Sequence, residues 1–377
     1  MKRFLALLTA LAAAAMLLAG CGPKTAQNNG QTPAEGSLTG VSPPAVPFSQ
    51  LKAPSLDTVD FVSDTVGYVG GQGIILKSAD GGRTWMKLYS SPDNVVSVDA
   101  VDSSNVWAAT KDYLLRSTDG RSFRRVDPAI NAGRGGKGIS AIDFVGRDQG
   151  FILANGVIWR LTNGARLQRA TPRGRVDSLS FVDPNNGFAA GANVLYKTSD
   201  GGRTWTRIFT APVETTGVPN PWRAAVHAGS ATNAWLLVYG GDAGMSQMAY
   251  VVFHTTDGTG FTPVMYEGYF SGAYPTIHLD NNQNIGAQPG TFTVWGGQAA
   301  FFTGWYPDQL LLTRTLDNGQ SFARSDIGKA DDTSVPDFFS PMGISSADAT
   351  HGWLVGSRKS RGILLYTTDG GTFKPAP

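Results

Sequence analysis

The sequence predicts an all-β fold, a single seven-bladed β-propeller of four-stranded antiparallel blades. Three observations predict it. An octapeptide, Ser78-Ala79-Asp80-Gly81-Gly82-Arg83-Thr84-Trp85, recurs along the chain. A short, β-rich apolar stretch precedes every copy, as in Ile74-Ile75-Leu76-Lys77 and Val194-Leu195-Tyr196-Lys197. Upstream lies a third recurring element of strand, polar turn and Gly-aromatic, seen at 59–69, 179–189 and 344–354. Each repeat thus supplies strand, turn, strand, loop, strand, Asp-Gly turn, strand, which is the content of a propeller blade. From Asp80 to Asp369 the copies average about 48 residues apart, within the range for propeller blades. No helical period of useful length appears.

The chain opens with Lys2 and Arg3, an apolar run from Phe4 to Leu18, and then Leu18-Ala19-Gly20-Cys21. A charged start, an apolar core and a small-residue cleavage site read as an export leader over 1–20. The run is too short for a membrane span. Leu-Ala-Gly-Cys is similar to a bacterial lipoprotein signal, which implies cleavage before Cys21 and a diacylglycerol on its thiol. Cys21 is the single cysteine of 377 residues, so no internal disulfide forms. Residues 21–47 read as the lipidated Cys and a flexible linker, being rich in Gly, Pro, Ser, Thr, Gln and Asn. The propeller is expected over 48–377. The expected location is the cell envelope, on the outer side of the cytoplasmic membrane or facing the periplasm, with the acyl chains as the membrane contact.

The formal charge is +2, and losing Lys2 and Arg3 with the leader brings it to about zero. No global basic field argues for nucleic acid or for an anionic membrane surface.

The turn copies centre on Asp80, Asp119, Asn163, Asp200, Asp257, Asp317 and Asp369. Asp followed by Gly is a hairpin signal: the carboxylate accepts backbone N–H groups just downstream, and Gly tolerates positive φ. The Ser or Thr two residues earlier adds local hydrogen bonds. The closing Trp85, Trp205 or Phe plugs the following strand. On these residues the unit resembles the Asp-box, or bacterial neuraminidase repeat, which implies turns between the two outer strands of a blade and a structural role for each Asp. Phe48-Ser49-Gln50-Leu51-Lys52 mimics Trp85-Met86-Lys87-Leu88. An N-terminal strand is therefore expected to complete the last blade and remove its open edge.

Candidate binding residues lie on the connections away from these turns. Trp222 and Arg223 follow the fourth copy, Tyr269 and Tyr274 lie in a long loop after the fifth, and Trp305 and Tyr306 sit in the sixth repeat. Exposed aromatics favour contact with sugars, peptides or protein surfaces, and their alternative role is to pack the loops against the blades. A basic set, Arg134, Lys137, Arg173, Arg175 and Arg358, falls on the same face by topology. It reads as an anion-recognising arc or as solvated loop charge.

Four scattered histidines show no metal-ligand spacing, and neither a His-Glu-x-x-His nor a phosphate-binding Gly-Lys-Ser/Thr loop occurs. The calcium-like start at Asp280 fails, with Ile285 where Gly is needed and Thr291 where the bidentate Glu belongs. No cofactor and no metal are expected. Sialidases share the Asp-box, but their Arg-Ile-Pro or Arg-Leu-Pro is missing, and Glu214 and Glu267 are the only glutamates of the globular part. No carboxylate pair is nominated for catalysis.

Gly67 to Gly73 and Leu76 to Trp85 resemble the photosystem II assembly and stability factor family. That resemblance implies a seven-bladed, extracytoplasmic, non-catalytic assembly factor. The leading expectation is a lipid-anchored monomeric scaffold that docks a protein or peptide partner of the cell envelope on its loop-rich face. The other readings are a sialidase-like glycoside hydrolase and a carbohydrate-binding, lectin-like propeller.

Overall fold

Turn-bounded runs of β-branched and aromatic residues pair with their sequence neighbours, so the chain folds as a series of antiparallel meanders. The computed structural model describes residues 44–130, 136–213, 220–244, 247–267, 287–306, 309–329, 340–358 and 360–377. The first sheet holds β1 (Leu56–Phe61), β2 (Gly67–Ser78), β3 (Met86–Ala100), β4 (Val106–Thr110), β5 (Leu114–Ser117) and β6 (Arg124–Val126), in that order. Five four-stranded sheets follow, over 139–169, 178–210, 220–267, 288–329 and 340–375. Each packs against the next, and β1 returns against the strand Ser340–Ser346, so the ring closes as an all-β propeller.

This corrects the expected blade count. Counted by hydrogen-bonded sheets among the described residues, the propeller has six blades, not seven, and the first is six-stranded. The cause is β3, a strand of 15 residues. Its first part pairs with β2, from Lys77↔Met86 to Gln72↔Asn94, and its second part with β4, from Val95↔Thr110 to Ala100↔Val106. Ser90 to Asn94 stay extended, so the pairing never breaks between the first two repeats. Strand β2 likewise serves two partners, its first half on β1 and its second half on β3, with Gly73 at φ 70° between them.

The closure differs from expectation as well. Phe48–Leu51 is a single helical turn, α1, and not a strand. The last sheet ends in its own outer strand, Lys374–Pro375. The N-terminal segment instead straps the seam. Val46 exchanges two backbone hydrogen bonds with Trp85 (3.0 and 2.8 Å), Ser49 N–H donates to the Pro377 carbonyl (3.1 Å), and Gly362 N–H donates to the Ala53 carbonyl (3.0 Å). Phe48 is buried with Trp85, Trp353 and Ala376. The αL conformation of Lys52 (φ 45°) ends the turn and keeps these residues out of the ladder.

Inner strands leave one edge towards the central axis, and side chains cap it. The Asp60 carboxylate accepts from Ala100 N–H at 2.8 Å, Asp99 from Phe144 N–H, and Asp143 from Phe181 N–H at 2.5 Å. Ser180 Oγ takes Ala228 N–H at 3.1 Å, and Ser345 Oγ takes Phe61 N–H at 3.0 Å across the closing seam. At these five junctions one inner strand therefore holds the next around the ring, and the edge donors named are satisfied.

Aromatic rings fill the gaps between sheets. Phe61 stacks on Trp353 (centroids 3.4 Å apart), Trp107 on Phe144 (4.3 Å) and Phe151 on Phe181 (3.3 Å). In three of the Gly-aromatic pairs the glycine lies directly beneath such a ring: Gly67 under Phe61, Gly150 under Phe144, Gly187 under Phe181.

The Asp-Gly turns all sit at one end of the ring, between the third and fourth strands of their repeats. Asp80 Oδ1 accepts Thr84 N–H (2.9 Å) and the Ser78 hydroxyl (2.9 Å), while Oδ2 accepts the Thr84 hydroxyl (2.6 Å). Asp200 repeats this with Thr204 and Thr198, and Asp317 with Ser321 and Thr315. In the shorter copies Asp119, Asp257 and Asp369 each accept two backbone N–H groups just downstream. Asn163 carries no carboxylate; with φ 52°, and Gly164 at 67°, it forms a plain tight hairpin of the primed type. Trp85 is fully buried beneath its turn, its indole N–H donating to the Gly82 carbonyl at 2.9 Å.

These bonds make the turn carboxyls strong acids. At Asp200 the Thr204 hydroxyl and amide are the leading causes, and the carboxyl is held at about 2. At Asp119 burial pushes upward, but the Ser122 and Arg121 donors outweigh it, and the carboxyl is again held at about 2. A carboxyl more acidic folded than unfolded contributes stability that is complete above the unfolded value of about 3.9 and is lost as the pH falls through the folded value. Thermal stability is therefore expected to fall between pH ~4 and the folded value of about 2. Asp200→Asn should be less stable at neutral pH and show a shallower acid decline. Melting curves from pH 7 to 2 check this, and parallel declines in the two proteins would refute it.

Candidate functional site

Because the Asp-Gly turns occupy one end, the opposite end carries the other loops: the hairpins between second and third strands, and the connections from each outer strand to the next inner one. The sequence placed its candidate residues there. Within the first sheet this end is tied together. Tyr113 donates to Asp93 Oδ2 (2.7 Å) and meets the Tyr89 hydroxyl (3.1 Å), and the Arg125 guanidinium lies over the Tyr113 ring (4.0 Å). Arg125 grips Asp127 at two points, Nη2–Oδ1 at 3.0 Å and Nε–Oδ2 at 3.1 Å. The Arg125 donors are the leading cause that holds the Asp127 carboxyl below the usual range. Burial, and then the Tyr89 and Asp93 partners, push the Tyr113 hydroxyl far above its ordinary value.

Lys137 belongs to this cluster. Its Nζ lies 3.6 Å from Asp127, its amide donates to Asp112 (3.0 Å), and its carbonyl accepts from the Asn155 side chain (2.9 Å). The expected basic residue is thus present but already compensated.

Arg173, Arg175 and Arg223 are all exposed at this end, on the two adjoining sheets over 178–210 and 220–267. The Tyr196 hydroxyl donates to the Arg173 carbonyl at 3.0 Å, which fixes the backbone beneath the side chain. The Arg175 stem lies against Gly156, yet the side chain as a whole is 80 % exposed, with Nε 3.9 Å from Asp177. Asp177 also accepts Ala192 N–H at 2.9 Å. Arg223 hydrogen-bonds the Tyr239 side chain. Burial is the main cause raising the Tyr239 hydroxyl, with Arg223 opposing it and Asp177 adding to it. This end therefore presents three exposed arginines, one of them beside the committed Asp177 carboxylate, a set suited to carboxylates or other anions.

Trp222 is not presented. It is 5 % exposed, inside the cluster with Val238 and Val251, and its indole lies against Gly241, whose φ of 64° and missing Cβ make room for the ring. Trp305 and Tyr306 close the strand Ala299–Tyr306, and Arg358 closes Gly352–Arg358. Arg134, Tyr269 and Tyr274 lie outside the described residues, as does Cys21. Among the described residues no group of side chains has metal-ligand geometry, and no helix is long and apolar enough to cross a membrane.

Sequence reasoning missed Arg125, Tyr239 and the axial Asp60, Asp99 and Asp143. A signal for the last three was present, since a polar residue precedes the Phe or its equivalent in the recurring strand (Asp60-Phe61, Asp143-Phe144, Ser180-Phe181).

The fold is that of a β-propeller, and this end of it is charged. Solved structures share that fold. One is YCF48 bound to D1 peptide, with 17 % identity, a TM-score of 0.56, and coverage of 89 % of this chain and 98 % of the other. YCF48 from Cyanidioschyzon merolae gives 16 % and 0.53, covering 86 % and 98 %. A catalytically inactive virginiamycin B lyase from Staphylococcus aureus with quinupristin gives 14 % and 0.56, also covering 86 % and 98 %. At such identities the likeness is one of fold alone. No family model matches the chain, and no curated protein matches it.

Proposed function

We propose that this chain is an exported propeller, tethered to the outer side of a membrane through acyl chains on Cys21, that docks a protein or peptide segment on its loop-rich end. The turns act in this reading as Asp-boxes, structural and not catalytic. One observation carries it: Arg173, Arg175 and Arg223 stand exposed at one end of two adjoining sheets while their neighbour Asp177 is already engaged. Three such groups suit an acidic segment or a chain-terminal carboxylate. A structural neighbour, YCF48, has been solved with a peptide bound, which supports a peptide ligand by analogy. The reading is non-catalytic, because Asp93, Asp112, Asp127 and Asp177 on this face each already serve a neighbouring group.

The test is an affinity capture from native membranes with the chain from residue 44 onward, beside a variant with Arg173, Arg175 and Arg223 each changed to Glu. A stoichiometric partner should be retained by the first and lost by the second. Equal capture by both would refute the assignment of this face. Stabilisation by glycans without any protein partner would replace the docking reading with a lectin-like one.

A further inference from the structure

The end that carries the Asp-Gly turns holds a second repeated device. The residue three before the Asp or Asn of each turn is Lys77, Arg116, Arg160, Lys197 or Arg314 in five repeats and His254 in a sixth. Each reaches across to the next turn around the ring. Lys77 Nζ donates to the carbonyls of Ser103 and Gly120, both at 3.1 Å, and Arg314 Nη1 donates to the Asp369 carbonyl at 3.0 Å. Arg160 and Lys197 stand so close to Gly201 and Gly258 that an added Cβ would lie 2.7 and 2.6 Å from their nitrogens. Arg116 pairs with Asp148 beside Gly164. His254 stacks on Trp235 (3.9 Å) and bonds to Asn318 of the following turn. At two of these junctions, those of Lys77 and Arg314, the basic side chain satisfies carbonyls that the following turn aims at it.

The seventh residue of the series is Tyr366, and it meets the first turn across the closing seam. An added Cβ at Gly81 would meet only the Asp64 carbonyl, at 2.9 Å, and no cation within 4 Å. A cleft of about 300 Å³ lies there, walled by Asp64, Asp80, Gly81, Tyr366 and Asp369, with Arg83 and Lys374 also on its surface. Trp353 satisfies one turn carbonyl, its indole N–H donating to Gly81 O at 3.0 Å. The Asp64 carbonyl is the counterpart of the Ser103 carbonyl that helps hold Lys77 at the neighbouring junction.

We propose that this seam cleft is a binding site for an external guanidinium or alkylammonium group, which occupies the place that Lys or Arg fills at the other junctions. The site lies at the end of the ring opposite the docking face and does not depend on it. Tyr366 lines the cleft where the other repeats place a basic side chain, and the volume accommodates an arginine side chain.

The test titrates the full chain with propylguanidinium, with the blocked tripeptide Gly-Arg-Gly, and with its neutral citrulline counterpart. It follows the Trp353 indole N–H resonance alongside calorimetry. Saturable binding of the two cations with a shift of that resonance is expected, and none with citrulline. Tyr366→Lys, which restores the series, should weaken binding at least about tenfold, or ~1.4 kcal/mol. If the peptide binds at least ~tenfold tighter than propylguanidinium, the cation is a partner's side chain; equal affinities indicate a small free cation. No Trp353 shift at saturating cation, equal binding of citrulline, or unchanged affinity in a folded Tyr366→Lys variant would each overturn the proposal. The citrulline comparison decides it should that variant not fold.

Discussion

Gly187→Ala is expected to destabilise the propeller by about 3 kcal/mol, at the upper end for overpacking a close-packed interior. The new Cβ would fall inside the Phe181 ring, which is fully buried. That ring cannot retreat, because its other face stacks on Phe151 at 3.3 Å and Trp205 stands edge-on at 5.9 Å. Either the ring or the pairing Phe181↔Gly187 must move, and that pairing joins the first two strands of its sheet. Urea unfolding at constant m-value measures the loss. Phe181→Leu in the same chain should recover part of it, since the two positions share one space and their effects are not additive. A loss below ~0.5 kcal/mol would show that the ring has room to move, contrary to this account.

Trp353→Ala should cost about 4 kcal/mol, within the range for removing a buried aromatic side chain. The indole is 1 % exposed, stacks flat on Phe61 at 3.4 Å and bonds the Gly81 carbonyl across the seam. Its loss should also have a spatial signature. The ring is closed here by side chains and a short strap, whereas the first two repeats share one continuous strand. Amide exchange should therefore rise first in β1 and in the strand Arg361–Thr367, ahead of the rest of the molecule. Trp107→Ala removes an equally buried ring stacked on Phe144, but away from the seam, and serves as the comparison. Uniform exchange in both variants would show that the seam opens no more readily than any other junction.

The architecture was legible in the chain because each turn writes its own chemistry locally: Asp, Gly and a hydroxyl at fixed offsets can be read without knowing what packs above them. The blade count was not legible in the same way. It depends on whether Ser90 to Asn94 break the ladder, and Pro92 and Asp93 stay within an extended strand. The strap failed for a related reason. Phe48 does mimic Trp85 as an apolar plug, and it is buried beside it, but the plug arrives on a helical turn. At the loop end, charge was easier to read than exposure. Arg173, Arg175 and Arg223 are exposed, whereas Trp222 folds inward under Gly241, a contact between residues 19 apart that no local pattern reports. Lys137 was located correctly, but its neutralisation by Asp127 depends on two loops meeting.

The strap also defines a mechanical axis. The first backbone pair it makes, Val46 with Trp85, lies at the end with the Asp-Gly turns, and from there it climbs to Ala53 beside Gly362 at the opposite end. Tension transmitted from upstream of Val46 is therefore received at the turn end. It falls first on two antiparallel hydrogen bonds and the buried Phe48 ring. The Ala53 contact with Gly362 at the loop end is reached only after those have given way, so under the proposed tethering the load and the proposed docking surface meet last.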